Sequence, residues 1–194
     1  MQDLGLINCF PVIDVFKQGN LIVHKIDGKV QTGDEVKCGV NFERRKQLTQ
    51  HHTATHLVNA ASRTILGSHI NQASAKKDVD HAYLDVTHYQ SINDEELRLI
   101  EDEANNLVKK KVEIIKKFMP RGDAEKIYGT RIYQGGVAPG KSLRIVNIEN
   151  VEVEACGGTH LNNTGEAELI KLVKTSKVKD GVVRIFFVAG NAAK

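Results

Sequence analysis

The amino-acid sequence predicts an α+β fold: a two-layer sandwich of helices on a mainly antiparallel sheet, with a small β-barrel-like subdomain at the N-terminus. Short apolar runs separated by turn residues fill residues 1–43. Two long stretches then repeat apolar residues at helical spacing, and the rest of the chain alternates short strand-like runs with turns. We therefore expect a partial β-barrel over residues 1–43 and a larger domain over residues 44–194.

Strands joined by tight turns are predicted for the N-terminal region. The segment 20–26 is rich in β-branched and apolar residues, and Asp27-Gly28 behind it predicts a hairpin turn. A second turn is predicted at 32–35, ahead of a strand at 36–40. A sheet of this size is not expected to be stable alone.

Two helices follow. The first is predicted from about residue 49 to residue 66, where Gly67 fits the C-terminal cap. The second is predicted over residues 94–119, because apolar residues recur every three or four positions. Asn93 and Glu96 have the spacing of a capping box at its start.

The rest of the chain reads mainly as strands. The remaining predicted elements are a short helix at 123–128 closed by Gly129, strands at 82–86, 131–133, 143–148, 151–155, 166–175 and 182–188, and a hairpin turn at 179–181.

Composition limits the possible functions. No apolar run reaches the length of a membrane helix, and the chain does not open on a signal peptide, so we expect a cytoplasmic protein. The three cysteines are widely spaced, which argues against a disulfide framework, and we expect Cys9 and Cys38 to be buried.

Charge alone does not identify a partner, since the net charge of +3 is too small to indicate a nucleic acid. Local basic clusters are more usually solvated faces, although one or two could contact a phosphate backbone. The clusters are Arg44-Arg45-Lys46, Lys76-Lys77, Lys109-Lys110-Lys111 and Lys116-Lys117.

Two motifs about a hundred residues apart predict one metal site. His52 and His56 are four residues apart on a predicted helix, and therefore lie on one face of it. Cys156 and His160 are also four residues apart, and the glycines between them allow a tight turn. Three imidazoles and one thiolate suit Zn²⁺ in a tetrahedral site. Thr53 occupies the position at which a metalloprotease would carry its glutamate, so a protease is disfavoured.

The other histidines lack a partner at ligand spacing. His51 is expected at the surface or just outside the metal shell. Four histidines are expected to have no special role: His24, His69, His81 and His88.

At these residues the chain resembles a known family, the editing domain of alanyl-tRNA synthetases, most closely the archaeal type. The same domain occurs in free-standing AlaX deacylases and, more distantly, in threonyl-tRNA synthetase. The resemblance covers roughly residues 20–190. Besides the two ligand motifs it includes His69–Ser74, Asp85–Tyr89, Tyr133–Gly140, Val153–His160 and the ending from Asp180 to Gly190.

The resemblance implies a zinc-dependent editing domain over residues 44–194 that hydrolyses Ser-tRNA(Ala) and Gly-tRNA(Ala). It implies that His52, His56, Cys156 and His160 bind zinc and act in catalysis. Thr55 and Gln72 would then recognise the amino acid, and Gly135 and Gly136 would approach the terminal adenosine. An ordinary helix threonine, a loop glutamine and a plain hairpin loop are the alternative interpretations. The expected phosphate contacts are Arg44, Arg45, Lys76 and Lys77.

Several alternatives stay open on sequence grounds. The class II aminoacylation domain is not part of this sequence, so we expect an editing fragment, with a free-standing trans-editing protein as the alternative. A tRNA-binding module with a purely structural zinc and a zinc hydrolase of small esters are the two others. If all four donors bind tightly, one must loosen for catalysis, and His160 is expected to be that one because it follows Gly-Gly-Thr.

Overall fold

The computed structural model describes residues 2–19 and 21–194. These residues divide into two compact units, the first ending at Leu48 and the second running from Thr49 to Lys194. The predicted domain boundary between residues 43 and 44 falls inside the first helix, α1. None of the described helices is long and apolar enough to span a membrane.

The predicted α+β class is confirmed, because the described residues form three α-helices and three antiparallel sheets. The arrangement as a two-layer sandwich stays a prediction. The helices are α1 Phe42–Leu66, α2 Asp94–Lys109 and α3 Arg121–Tyr128. The strands are β1 Gly5–Ile7, β2 Phe10–Gln18, β3 Leu21–Ile26, β4 Cys38–Val40, β5 Gln72–Lys77, β6 Ala82–Thr87, β7 Ile114–Pro120, β8 Ser142–Ile148, β9 Glu152–Ala155, β10 Ile170–Lys179 and β11 Val182–Ala189.

The first unit contains an open four-stranded sheet in the order β3-β2-β1-β4. Within the described part of the chain no pairing joins β3 to β4, so a closed barrel is not formed. The predicted hairpin turn at Asp27-Gly28 is wrong, because β3 pairs back onto β2 across a turn that contains Gly19, with φ of +61°. Asn20, the predicted first residue of this strand, lies outside the described residues. Gly28 instead lies against Phe10, whose ring leaves no room for a Cβ.

Both cysteines of this unit are exposed, so the prediction that Cys9 and Cys38 are buried is wrong. Cys9 lies in the turn between β1 and β2, and Cys38 begins β4, all of whose residues are exposed. Neither position packs against a core.

Helix α1 starts seven residues before the predicted position. The amide of Arg44 donates to the side chain of Asn41 at 3.0 Å, a contact that satisfies one of the free N–H groups at a helix start. The first turns are polar, so apolar periodicity could not reveal them. The predicted end at residue 66 is confirmed, and Gly67 follows it with φ of +113°.

Helix α2 is ten residues shorter than predicted. The capping box of Asn93 and Glu96 is confirmed, but the helix stops at Lys109 and Lys111 has the left-handed φ of +52°. Residues Ile114–Pro120 then form strand β7, which pairs with β8 over seven residues. Short apolar runs suit both helix and strand, and sheet pairing decides the outcome here.

Two other predicted strands need correction, and one strand was not predicted. The predicted strand at 131–133 is a 3₁₀ turn, Thr130–Ile132. The predicted strand at 166–175 starts later, at Ile170, after another such turn. Strand β5 was not predicted, because its sequence of small and basic residues lacks an apolar alternation.

The core of the second unit packs α1 against both of its sheets. The sheets run in the orders β10-β11-β6-β5 and β7-β8-β9. Fully buried members of this core include Ala54, Leu57 and Val58 of α1, Leu84 and Ile185 of the first sheet and Val146 of the second. This packing fixes the middle of α1, where His52 and His56 lie.

Candidate metal centre

The four predicted metal donors lie together. One donor atom each from His52, His56, Cys156 and His160 lies within 4.8 Å of the other three. The Sγ atom of Cys156 is 3.3 Å from Nε2 of both His52 and His160. Helix α1 supplies two donors, and the turn after β9 supplies the others. The pairing of two distant motifs therefore brings all four donors to one point.

The turn that carries Cys156 is shaped by backbone contacts. Arg144 of β8 donates to the carbonyl oxygens of Cys156 and Gly158, at 2.8 and 2.7 Å. Gly158 lies against the ring of His52, so that a Cβ there would be 2.0 Å from Cε1 of the imidazole. Only glycine therefore lets this turn approach α1 so closely.

The donors lie in a poorly solvated environment, which keeps the imidazoles neutral. Burial, helped by the neighbouring His160, lowers the pKa of His52 to about 2. Burial and the charge of Arg144 lower the pKa of His160 to about 3, and burial holds the pKa of His56 well below its ordinary value. A metal needs unprotonated imidazoles. The imidazoles are therefore ready to bind a cation near neutral pH, whereas burial raises the pKa of the Cys156 thiol, which must lose its proton when a metal binds.

Two of the three imidazoles have polar partners on the side away from the cluster. Nδ1 of His56 lies 3.1 Å from Oε2 of Glu154, and Nδ1 of His160 lies 3.3 Å from the hydroxyl of Thr53. In the described residues His52 hydrogen-bonds only to Cys156, and it is the most exposed donor. The site thus holds His56 and His160 more firmly than His52.

The arrangement fits a zinc ion. Zn²⁺ prefers nitrogen and sulfur donors in fours, whereas Mg²⁺ and Ca²⁺ prefer oxygen donors. Neither ring nitrogen of His56 makes a hydrogen bond in the described residues, although the ring is fully buried. A buried polar atom without a partner is costly, and a bound cation would satisfy one of these nitrogens.

Thr55 lies beside the donors on α1 and is buried. Its hydroxyl donates to the carbonyl oxygen of His51, one turn earlier, at 2.8 Å. This is the bond that the ordinary-threonine interpretation expects. The oxygen keeps lone pairs that can accept a further hydrogen bond.

Gln72 meets the glycine-rich turn that was predicted to approach the adenosine. Its amide donates to the side chain of Gln134 at 2.9 Å. Gly135 is packed on β5, where a Cβ would be 2.4 Å from the carbonyl oxygen of Ala73, and Gly136 is exposed. The structure therefore brings together three of the four predicted substrate-binding residues, which are distant in sequence.

The predicted phosphate contacts have unlike surroundings. Arg45 forms an ion pair with Asp3 at 2.6 Å within the first unit, where Arg44 is half-buried. Lys76 is exposed, whereas burial lowers the pKa of Lys77. The charge of Lys77 contributes to the low pKa values of all three cluster imidazoles. Of the four predicted phosphate contacts, Lys77 is therefore the one with an electrostatic influence on the donors.

The sequence did not predict the contacts of three other histidines. His51 is buried, not at the surface, and its Nδ1 is 2.6 Å from the carbonyl oxygen of Asp78. Nε2 of His69 is 2.9 Å from Nδ1 of His88, and both rings contact that of Tyr89. The spacing of His69 and His88, 19 residues, gives no local signal, and only the pairing of strands brings them together.

Comparison with known proteins relates this chain to aminoacyl-tRNA synthetases. The family described as the threonyl and alanyl tRNA synthetase second additional domain matches residues 143–186, which include Cys156 and His160. Alanine–tRNA ligase of Nitrosopumilus maritimus is 52% identical over 189 residues, covering 97% of this chain and 21% of the relative. The enzyme of Methanopyrus kandleri is 51% identical over 183 residues, covering 94% of this chain and 20% of the relative. That of Cenarchaeum symbiosum is 46% identical over 192 residues, or 98% of this chain and 22% of the relative.

The chain matches one segment of archaeal alanine–tRNA ligases. It spans about a fifth of the length of these curated relatives. The resemblance to alanyl-tRNA synthetases that the sequence indicates is thereby confirmed. In this chain the candidate site combines α1, which precedes the matched family region, with the turn after β9, which lies within that region.

Proposed function

We propose that this chain hydrolyses the ester that joins a wrong amino acid, serine or glycine, to the 3′ end of alanine tRNA. The observation that carries the proposal is the buried group of three imidazoles and one thiol, collected from two distant segments. The match to alanine–tRNA ligases supports tRNA(Ala) as the RNA partner. Predictions that accompany the proposal are a cytoplasmic location and an N-terminal sheet that forms part of a barrel.

Zinc would be held by His52, His56, Cys156 and His160. When bound, it would supply Lewis-acid polarisation of the ester carbonyl and activation of water. The protein residues orient the donors: Arg144 fixes the turn of Cys156, while Glu154 and Thr53 hold two imidazoles. Burial of the cluster strengthens every electrostatic interaction at the reacting ester.

His52, not His160, is the donor that we assign as loosely held. The hydroxyl of Thr53 binds both the ring of His160 and the amide of Leu161, at 3.3 and 3.1 Å. His160 is therefore anchored, although a flexible Gly-Gly-Thr run precedes it. His52 is the most exposed donor, so the substrate would approach from its side.

Selection of serine over alanine is assigned to Thr55 and Gln72. A pocket sized for alanine excludes an added hydroxyl only by about a hundredfold, so a second site that binds the hydroxyl is needed. A free lone pair of the Thr55 hydroxyl would accept from the serine hydroxyl. Glycine offers no such group, so its hydrolysis depends on fit and on the shared backbone contacts.

The RNA end would lie along the turn formed by Gly135 and Gly136. Gln72 and Gln134 tie this turn to β5, and the exposed backbone of Gly136 is free to approach a nucleoside. Lys76 and Lys77 at the end of β5 would contact phosphates, and Arg44 and Arg45 are the proposed contacts of the first unit. Such contacts weaken with salt and do not select the amino acid.

A tRNA-binding module with a structural zinc is the second candidate. It is favoured by the presence of four protein donors, since catalytic zinc sites usually keep one position for water or substrate. In this case the chain would bind tRNA without cleaving the ester.

Hydrolysis of seryl-, glycyl- and alanyl-tRNA by the zinc-loaded and the chelated chain separates these candidates. We expect rapid release of serine and glycine, slow release of alanine, and loss of all three after chelation. Free serine esters, tested alongside, should react poorly, because they lack the RNA contacts. Tight tRNA binding with no zinc-dependent hydrolysis would establish the structural alternative.

A further inference from the structure

A buried carboxylate stands behind the metal cluster. The side chain of Glu154 is 3% exposed, and its Oε2 lies 3.1 Å from Nδ1 of His56, whose side chain is 1% exposed. The two atoms are close enough for a hydrogen bond, although neither atom makes one in the described residues. Glu154 lies in β9, two residues before Cys156, on the strand that leads into the turn with the other half of the site.

Glu154 is itself held by a polar chain that leads away from the cluster. Asn59, one turn beyond His56 on α1, donates to Glu154 Oε1 and to Glu152 Oε2, both at 3.3 Å. Arg63, a further turn along, donates to both oxygens of Glu152 at 3.0 and 3.1 Å. These hydrogen bonds connect α1 to β9 at successive turns of the helix.

We infer that Glu154 is a positioning residue: its oxygen accepts a hydrogen bond from Nδ1–H of His56, so that Nε2, which faces the other donors, carries no proton. Burial raises the pKa of Glu154 to about 8, and either form of the carboxyl group keeps an oxygen that can accept a hydrogen bond. Nδ1 of His56 faces this group, so Nε2 is the ring nitrogen left to bind a cation, and a nitrogen that binds a cation carries no proton. A neutral imidazole carries one proton, and therefore Nε2 becomes the free donor. The inference rests on the proposed metal site but not on the proposed reaction.

The contact is expected to act on metal affinity. Outer partners of metal-bound imidazoles fix their tautomer and ring orientation, and their removal typically weakens metal binding by about 10- to 100-fold. Because Glu154 is almost completely buried, a direct contact with tRNA is excluded. Its loss should therefore change zinc binding without changing the choice among amino acids.

The test uses the whole chain and two readouts. Zinc affinity is measured by competition with a chromophoric chelator for wild type, Glu154→Leu and Glu154→Gln. We expect about 10- to 100-fold weaker binding for the leucine variant and a smaller loss for the glutamine variant, whose amide oxygen can still accept. Imidazole ¹⁵N spectra of zinc-loaded wild type should show a proton on Nδ1 of His56 and none on Nε2.

Asn105→Leu is the matched control. Asn105 joins α2 to β10 through two hydrogen bonds with Ile170, and it bonds to none of the four donors. This variant should lose stability but keep the zinc affinity of wild type, which separates general destabilisation from loss of the outer partner.

The outcomes decide the inference. Unchanged zinc affinity in Glu154→Leu would overturn it, and so would a zinc-loaded wild type in which His56 binds through Nδ1. If the leucine variant does not fold, the glutamine variant and the wild-type spectrum give the answer. A wild type that binds no zinc removes the metal site and this inference together, whereas zinc binding without tRNA hydrolysis defeats only the proposed reaction.

Discussion

Gly158 and His52 are in contact at the candidate metal centre: a Cβ on Gly158 would lie 2.0 Å from Cε1 and 2.4 Å from Nδ1 of the imidazole. Real Cβ atoms do not approach so closely, so any side chain at position 158 must displace the ring or the turn. The second glycine of the motif therefore serves the shape of the site, in addition to the bend of the chain.

Gly158→Ala is accordingly expected to weaken zinc binding by at least about tenfold, because a displaced ring loses both its orientation and its distance to the other donors. Gly157→Ala is the control. Gly157 is exposed, and an added Cβ there would meet nothing within 4 Å. Equal zinc affinities of the two variants, measured by chelator competition, would show that contact with His52 does not matter.

Zinc should stabilise the chain against heat. A ligand that binds only the folded state adds about 4 kcal/mol at a thousandfold excess over its dissociation constant. We expect the unfolding temperature to rise with zinc and to stay unchanged with magnesium, which prefers oxygen ligands.

Cys156→Ser tests whether the four proposed donors cause the zinc-dependent rise in unfolding temperature. Cys156 is buried and supplies the only sulfur of the cluster, and a hydroxyl is a poor substitute for a thiolate on zinc. The variant should unfold near the temperature of the zinc-free wild type whether or not zinc is added. A full zinc-dependent shift in Cys156→Ser would contradict the proposed donor set.

The four residues that could hold a metal ion could be predicted to lie together, because each pair has a local spacing of four residues. His52 with His56 lies on a helix, and Cys156 with His160 spans a glycine turn. Glu154 could not be assigned in the same way. A carboxylate in a strand is ordinarily solvated, and only the packing of β9 against α1 buries this one.

In the fold, too, features set by neighbouring residues could be predicted from sequence, whereas features set by pairing between distant strands could not. The capping box at Asn93 and the glycine that ends α1 are local, and both were predicted. The end of α2 depends on distant pairing, because residues Ile114–Pro120 can form a strand only where β8 accepts their hydrogen bonds. Residues 72–77 likewise become β5 only by pairing with β6.

A partly buried ion pair offers a test of the sheet β10-β11-β6-β5. Arg184 of β11 donates two hydrogen bonds to Asp85 of β6 at 2.7 and 2.9 Å, and its guanidinium lies 3.6 Å from the centroid of the Tyr83 ring. The Asp85 side chain is 5% exposed, against 26% for Arg184. Loss of Arg184 should therefore destabilise the protein more than loss of Asp85, because the more deeply buried Asp85 would be left without a partner.

Arg184→Met is expected to cost about 3 kcal/mol of unfolding free energy, because it leaves a buried carboxylate unpaired. Asp85→Leu should cost less, since the remaining guanidinium keeps solvent and the Tyr83 ring. The double variant should recover most of the loss, as replacing both partners of a buried pair is often nearly neutral. Urea unfolding of wild type, the two single variants and the double variant gives the interaction free energy between Arg184 and Asp85. Strictly additive losses of unfolding free energy would argue against such an interaction.

Thr55 provides the sharpest test of amino-acid selection. Thr55→Val keeps the shape of the side chain but removes the oxygen that would accept from a serine hydroxyl. One hydrogen bond is worth roughly 1 kcal/mol, so the ratio of seryl- to alanyl-tRNA hydrolysis should fall by about five- to tenfold. Hydrolysis of glycyl-tRNA, which offers no hydroxyl, should change much less.

Thr64→Val is a close control for this variant. Its hydroxyl donates to the carbonyl oxygen of Ala60, one turn earlier on the same helix, as that of Thr55 does to His51. Both variants lose the same kind of helix bond, so both should change the unfolding free energy by a small amount. Only Thr55→Val should alter the ratio of seryl- to alanyl-tRNA hydrolysis. If that ratio is the same in both variants, the hydroxyl of Thr55 belongs to the helix alone and another group must recognise serine.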